Sequence, residues 1–251
     1  MIALVTGASA GFGDAISRIM VEAGYKVVGT ARRLDRLEQL QQALGKDNFY
    51  PLAFDIQDQQ AVQAALDSLP VAWRDIDVLI NNAGLALGLE PAYATDLREW
   101  EQVIQTNIMG LLSMTRLILP GMVERNRGHI INMGSIAGTY PYPGGNVYGA
   151  SKAFVKQFSR NLKSDLAGTA LRVTNIEPGL CGGTEFSNVR FRGDNEKALA
   201  IYANVQPIQP VDIANTVLWV VQQPAHVNVT SVEIMPVAQS FGPLKITRKD
   251  E

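Results

Sequence analysis

Short runs of β-branched and apolar residues alternate with amphipathic stretches along almost the whole chain, and that rhythm constrains the fold more than any single motif. Strand candidates are Ile2 to Thr6, Lys26 to Thr30, Phe49 to Phe54, Asp77 to Ile80, His129 to Met133, Leu171 to Ile176 and Val232 to Met235. Helical patterns lie between them at Gly13 to Ala23, Leu34 to Leu44, Asp58 to Leu69, Leu97 to Glu124, Val147 to Leu166 and Pro210 to Gln222. Strand–helix alternation of this kind builds βαβ units, hence an α/β fold around a parallel sheet. No repeat, low-complexity segment or linker divides the 251 residues, so a single domain over 1–251 is expected. Two stretches break the rhythm. Gly179 to Leu199 delays the next helix and reads as a lid or binding loop. The tail from Pro236 to Glu251 lies beyond the last strand, either disordered or docked on a neighbouring subunit.

Such a sheet binds ligands at the turns leaving its strands, and the first of these turns is "TGASAGFG", with glycines at 7, 11 and 13. Backbone N–H groups and the positive end of a helix face a pyrophosphate there, and glycine removes the Cβ that would keep the phosphates away. The spacing differs from the common G-x-G-x-x-G pattern, and three glycines can also serve a purely structural turn. Position favours the cofactor reading: strand before, helix after, at the start of the sheet. The cradle would comprise Gly7, Ser9, Ala10, Gly11, Phe12 and Gly13. Where an acid would hold a ribose 2′-OH the chain has Ala31, followed by Arg32 and Arg33. Arginine accommodates a 2′-phosphate, so NADP(H) is expected over NAD(H). Arginines are also common at solvated helix starts.

"NVYGASK" carries Tyr148 and Lys152 four residues apart. Seven tyrosines and eight lysines in 251 residues give about 0.2 such pairs by chance, so the pair alone says little. In the predicted helix it shares one face. A free phenol, with a pKa of roughly 10, shuttles protons poorly at pH 7, and lowering it to near 7 takes about 4 kcal/mol. A unit charge about 4 Å away supplies a similar amount at an effective dielectric of about 20. Lys152 is thus expected to lower the tyrosine pKa, with desolvation opposing it.

Several motifs together resemble those of the short-chain dehydrogenases/reductases: "TGASAGFG", "FDI" at 54 to 56, "NNAG" at 81 to 84, "TN" at 106 and 107, "GSIAG" at 134 to 138, "YGASK" at 148 to 152 and "EPG" at 177 to 179. They occur in the family's order and span Ile2 to about Pro236. The resemblance implies a Rossmann-type doubly wound sheet of seven parallel strands flanked by helices. It also implies a catalytic group in which Ser135 binds the substrate oxygen, Tyr148 is the acid/base, Lys152 holds the nicotinamide ribose and Asn107 fixes a water. Asp55 and Ile56 would face the adenine and Asn82 the ribose. Pro178, Gly179, Leu180, Cys181, Gly182, Gly183, Thr184, Glu185 and Phe186 would face the nicotinamide end.

Longer stretches such as "PGMVERNRGHIIN" and "EPGLCGGTEFSNVRF" resemble members acting on small 3-hydroxy acids and their semialdehydes. This implies 3-hydroxypropionate and malonic semialdehyde, L-allo-threonine or serine as substrates, in a cytoplasmic homotetramer. A reductase acting on a bulky ketone, a sugar or an acyl thioester would share every catalytic residue. A catalytically silent NADPH-binding regulator would typically lose the tyrosine or lysine, both present here. A hydroxy acid needs a partner for its carboxylate, and "FSNVRFRG" offers Arg190, with Arg192 beside it; arginine pairs bidentately with carboxylate. The alternative for both arginines is a solvated face or a subunit contact.

Other classes find no support. Twenty-two basic against 24 acidic residues, net −2, argue against nucleic acid or an anionic membrane as partner. Cys181 is the single cysteine, which fits a reducing compartment. His129 and His226 have no ligating neighbours at metal spacing. No run approaches the 18 apolar residues of a membrane span, and "MIALVTGAS" lacks a secretory n-region.

Overall fold

The computed structural model describes residues 1–242. Seven strands form one sheet: β1 (Ile2–Thr6), β2 (Lys26–Ala31), β3 (Phe49–Ala53), β4 (Ile76–Asn81), β5 (His129–Met133), β6 (Arg172–Pro178) and β7 (Ser231–Ile234). Every pairing is parallel, in the order β3-β2-β1-β4-β5-β6-β7. The chain winds outward from β1 to β3, then returns to the other side of β1 at β4. Crossovers diverge there, which leaves a crevice at the carboxyl ends of β1 and β4. Pro51 lies in β3, a sheet edge, where its missing N–H costs no ladder bond.

Side chains alternate across the sheet and build two cores. Ala3, Val5, Val27, Ile80 and Ile131 face one side and pack with α1 (Gly11–Glu22), α2 (Leu34–Leu44) and α9 (Pro210–Val221), through Ile16, Met20, Leu37 and Val217. Leu4, Val28, Leu79, Ile130 and Val173 face the other side. They pack with α3 (Gln59–Asp67), α5 (Leu111–Glu124) and α6 (Asn146–Asp165), through Val62, Leu66, Met114, Met122 and Leu162. Asp58 caps α3 by accepting from Gln60 N and Ala61 N at 3.0 Å each.

Two stretches differ from the sequence expectation. Leu97 to Glu124 is not one α-helix: α4 (Leu97–Ile104) passes through a π turn, Gln105–Gly110, before α5. Apolar periodicity continues through the turn, so the pattern conceals it. The delayed segment after β6 holds two short helices, α7 (Phe186–Arg190) and α8 (Asn195–Ala200). No described helix is long and apolar enough to cross a membrane.

Candidate active site

The glycine turn leaves β1 at the crevice. Gly7 and Gly11 have φ of +70° and +55°, which L residues rarely adopt. A Cβ on Gly13 would lie 2.2 Å from Gly7 O and 2.8 Å from Asn82 Nδ2. The end of β4 staples the turn in place: Asn82 N and Ala83 N each donate to Thr6 Oγ1 at 2.9 Å, and Asn82 Nδ2 donates to Thr6 O at 2.8 Å. Ala10, the N-cap of α1, offers no side-chain acceptor, so the first N–H groups of the helix have no side-chain cap. The cleft encloses about 1060 Å³, with Gly7, Ser9, Ala10, Gly11 and Phe12 on one wall and Pro178 to Cys181 and Thr184 to Phe186 on the other. A glycine-lined cradle at a helix N-terminus beside so large a cleft fits a dinucleotide.

At its inner end the cleft holds Ser135, Tyr148 and Lys152. Helix α6 carries the tyrosine and lysine one turn apart, and the loop after β5 brings the serine. That loop packs so tightly on α6 that a Cβ on Gly138 would lie 2.7 Å from the Lys152 carbonyl carbon. Ser135 Oγ accepts from Ala137 N at 3.1 Å and donates to Pro178 O at 3.4 Å. Lys152 Nζ donates to Met133 O at 2.8 Å and stands 5.8 Å from the Tyr148 ring centre.

The segment after Cys181 covers this end. Phe186 lies 5.7 Å from the Tyr148 ring, centre to centre. Arg190 donates from Nη2 to Tyr142 Oη at 2.7 Å. Its Cζ lies 5.1 Å from the Tyr148 ring centre, 5.4 Å from Phe186 and 5.7 Å from Tyr142. Arg190 Nε is buried without a partner among the described residues. Near the cradle, Arg33 donates from Nε and Nη2 to Ser9 Oγ at 3.3 and 3.1 Å and pairs with Glu185 at 2.8 Å.

The model of the short chain dehydrogenase family matches residues 1–195. A probable NADP-dependent dehydrogenase of Haemophilus influenzae is 63% identical, covering 98% of each chain. The NADP-dependent 3-hydroxy acid dehydrogenase YdfG of Salmonella typhi is 59% identical over 99% of this chain and 100% of its own. A solved structure described as the closed form of serine dehydrogenase complexed with NADP+ superposes with a TM-score of 0.98 at 56% identity, covering 99% and 100% of the two chains. The chain belongs to the short-chain dehydrogenase family.

As in a dehydrogenase of this family, the acid/base candidate and the cofactor cradle share one sheet edge, but the electrostatics differ from the sequence expectation. Burial pushes the Tyr148 phenol up to about 12, opposed by the Ser135 hydroxyl and by the Arg190 charge. Lys152 does not lower it. Burial instead pulls the lysine itself down to about 8, because its ammonium has left water for a single carbonyl partner. Desolvation outweighs the attraction on which the lowering depended, and the cation acting on the phenol is Arg190.

Other site candidates are engaged in the fold or lie outside the cleft lining. The Asn107 side chain, in the π turn, is committed to structure. Its Oδ1 accepts from Leu85 N at 2.9 Å, and its Nδ2 donates to Leu85 O and Ser151 Oγ at 2.9 and 3.0 Å. Both Nδ2 hydrogens are thus taken, while Oδ1 keeps a second lone pair. The Asn82 amide likewise serves the glycine turn, although the residue lines the cleft. Arg32 and Asp55 form a loose exposed pair at 3.8 Å, and Ile56 packs beneath Gly110. A Cβ on Gly182 would meet Pro207, and Gly183 lines a smaller cavity shared with Ser9, Ala10 and Gly11.

Arg192 is half exposed and already paired, with Glu90 and Glu99. The described part of the tail reaches the chain's own cleft, where Gln239 Oε1 accepts from Leu180 N at 2.8 Å and Phe241 lies 4.7 Å from the Tyr140 ring. Residues 243–251 of the tail lie outside the described residues. Sequence reasoning missed Met133 O, Gln239 and Phe241. No local pattern marks a backbone acceptor or a contact between residues so distant in sequence. Among the described residues no group of three His, Cys, Asp or Glu side chains could hold a metal ion.

Proposed function

We propose that this chain is an NADP(H)-dependent oxidoreductase that interconverts small 3-hydroxy acids and their semialdehydes. The observation carrying this reading is Arg190. It stands over Tyr148 with a buried, unpartnered Nε and no carboxylate of its own among the described residues. A guanidinium so placed recognises a carboxylate a few ångströms from the reacting oxygen. The names of the relatives, 3-hydroxy acid dehydrogenase and serine dehydrogenase, point to the same substrates. Arg33 and Ser9, at the end of β2 and in the glycine turn, support NADP over NAD, because a 2′-phosphate would meet a guanidinium and a hydroxyl there.

When bound, the nicotinamide supplies or accepts the hydride. Tyr148 Oη gives its proton to the carbonyl oxygen in the reducing direction and takes the hydroxyl proton in the oxidising one. Ser135 Oγ donates to the same oxygen as charge develops on it. Lys152, anchored on Met133 O, would hold the ribose hydroxyls with its remaining donors. Phe186 and Arg190 exclude water. In the reducing direction a raised phenol pKa suits a proton donor; the oxidising direction requires the phenolate and is favoured by rising pH. Exposed Leu97, Ile104 and Phe154 on α4 and α6 support assembly of copies, which we take as a homotetramer, and the free Cys181 supports a cytoplasmic location.

The test is NADP reduction with serine, L-allo-threonine and 3-hydroxypropionate, with malonic semialdehyde and NADPH in reverse. Turnover of these acids, and an Arg190→Ala variant with a strongly raised KM for them, is the expected result. Turnover of neutral alcohols alone would reject the substrate reading.

A further inference from the structure

Two residues beyond Arg190 the chain holds a second arginine with the opposite circumstances. Arg192 has φ of +55°, in the left-handed region that residues with a Cβ rarely enter. Its guanidinium donates two parallel hydrogen bonds to Glu99, Nε to Oε1 at 2.6 Å and Nη2 to Oε2 at 2.8 Å. A third bond runs from Nη1 to Glu90 Oε1 at 2.9 Å. Fork-to-carboxylate pairing fixes orientation as well as distance. Glu99 lies in the first turn of α4, and Glu90 in the segment after β4.

That segment is built to receive the lid. Gly88 N donates to Arg190 O at 2.8 Å, and a Cβ on Gly88 would lie 2.0 Å from Glu90 Oε2. The same segment meets the start of the tyrosine helix. Asn146 Nδ2 donates to Glu90 O at 3.3 Å, and a Cβ on Gly144 would lie 2.3 Å from Leu89 O. Lid, latch and Tyr148 helix therefore share one short stretch of backbone.

We propose that Arg192 is a positioning residue: its clasp on Glu99 and Glu90 holds the lid at the height that sets Arg190 over Tyr148, and so determines affinity for the acid substrate. The proposal rests on Arg190 as the carboxylate anchor. Exposed ion pairs add little to global stability, but a lid opens at a small local free energy, so a modest clasp decides its population. The clasp has a second effect. Unpaired, Glu90 and Glu99 would leave two negative charges at the lid; paired, they leave Arg190 as the uncompensated charge over the substrate pocket.

The experiment measures Arg192→Ala, Arg192→Lys and the reversed pair Arg192→Glu with Glu99→Arg by steady-state kinetics, NADPH fluorescence titration and amide hydrogen exchange of the free protein. Arg192→Ala is expected to raise the KM for the hydroxy acid about tenfold with kcat changed less than about threefold. NADPH affinity should stay near wild type while amides of residues 186–193 exchange faster. Lysine, which keeps the charge but not the fork, should behave as alanine does, and the reversed pair should recover much of the loss. Unchanged lid exchange in Arg192→Ala overturns the clasp whatever the kinetics show. An unchanged acid KM in Arg190→Ala, with faster lid exchange in Arg192→Ala, instead rejects Arg190 as the anchor and leaves the clasp standing.

Discussion

Removing the cation from the buried Lys156–Glu177 pair should unfold the protein at markedly lower temperature. Glu177 is 1% exposed in β6, one residue before the cleft wall. Lys156 Nζ donates to its Oε2 at 2.8 Å and to Thr139 Oγ1 at 2.7 Å, while Asn175 Nδ2 and Ser231 Oγ donate to Oε1 at 3.0 and 2.5 Å. The network ties the helix of Tyr148 to the loop of Ser135. Lys156→Met leaves a buried carboxylate without a cation, a change that costs about 3–5 kcal/mol in buried pairs. Because Lys156 is one-fifth exposed and neutral donors remain, the lower end applies. At about 2–4 °C per kcal/mol for a chain of this size, the melting temperature should fall by roughly 6–12 °C. Adding Glu177→Gln removes the stranded charge and should restore more than half of that loss. Calorimetry of the three proteins at pH 7 reads both effects. A fall under about 2 °C, or a double variant no better than the single one, would refute the reasoning.

A methyl group at Gly13→Ala meets backbone atoms of Gly7 that have no room to move. Overpacking of this kind costs about 1–3 kcal/mol, and NADPH affinity should fall with it; a variant that binds NADPH normally contradicts the cradle. Lys152, pulled down from 10.5 to about 8, binds its proton less readily folded than unfolded, so its penalty is largest below pH 8 and vanishes as the pH passes 10.5. Lys152→Met should therefore be inactive yet more stable at pH 7, by up to about 3 kcal/mol at 1.36 kcal/mol per pKa unit, and urea melts should show the gap closing towards pH 10. Arg33→Ala should raise the Kd for NADPH at least tenfold while that for NADH changes little; equal losses for both would remove the 2′-phosphate assignment.

The sheet, its two faces and the helix carrying Tyr148 and Lys152 were legible because they rest on local periodicity and fixed spacing. Leu34 to Leu44 was found at its observed ends, and the tyrosine helix is displaced by one residue. The π turn at Asn107 was not legible, since one inserted residue hardly disturbs an apolar stripe. Nor was the occupation of Asn107 and Asn82, whose partners Leu85 and Thr6 are brought close only by the folded chain. The two arginines after Ala31 look alike in sequence, yet only Arg33 points into the cleft. The sign of the Tyr148 shift was missed for a related reason: spacing supplies the neighbouring charge but not the depth of burial opposing it.

The central claim, that Tyr148 moves the proton in a dehydrogenation of small hydroxy acids, is tested most directly by Tyr148→Phe. Turnover of 3-hydroxypropionate with NADP should fall at least about a thousandfold, with NADPH still bound at wild-type affinity. A variant that binds NADPH and keeps kcat within about tenfold of wild type would contradict the claim, because the proton would then be moving through another group.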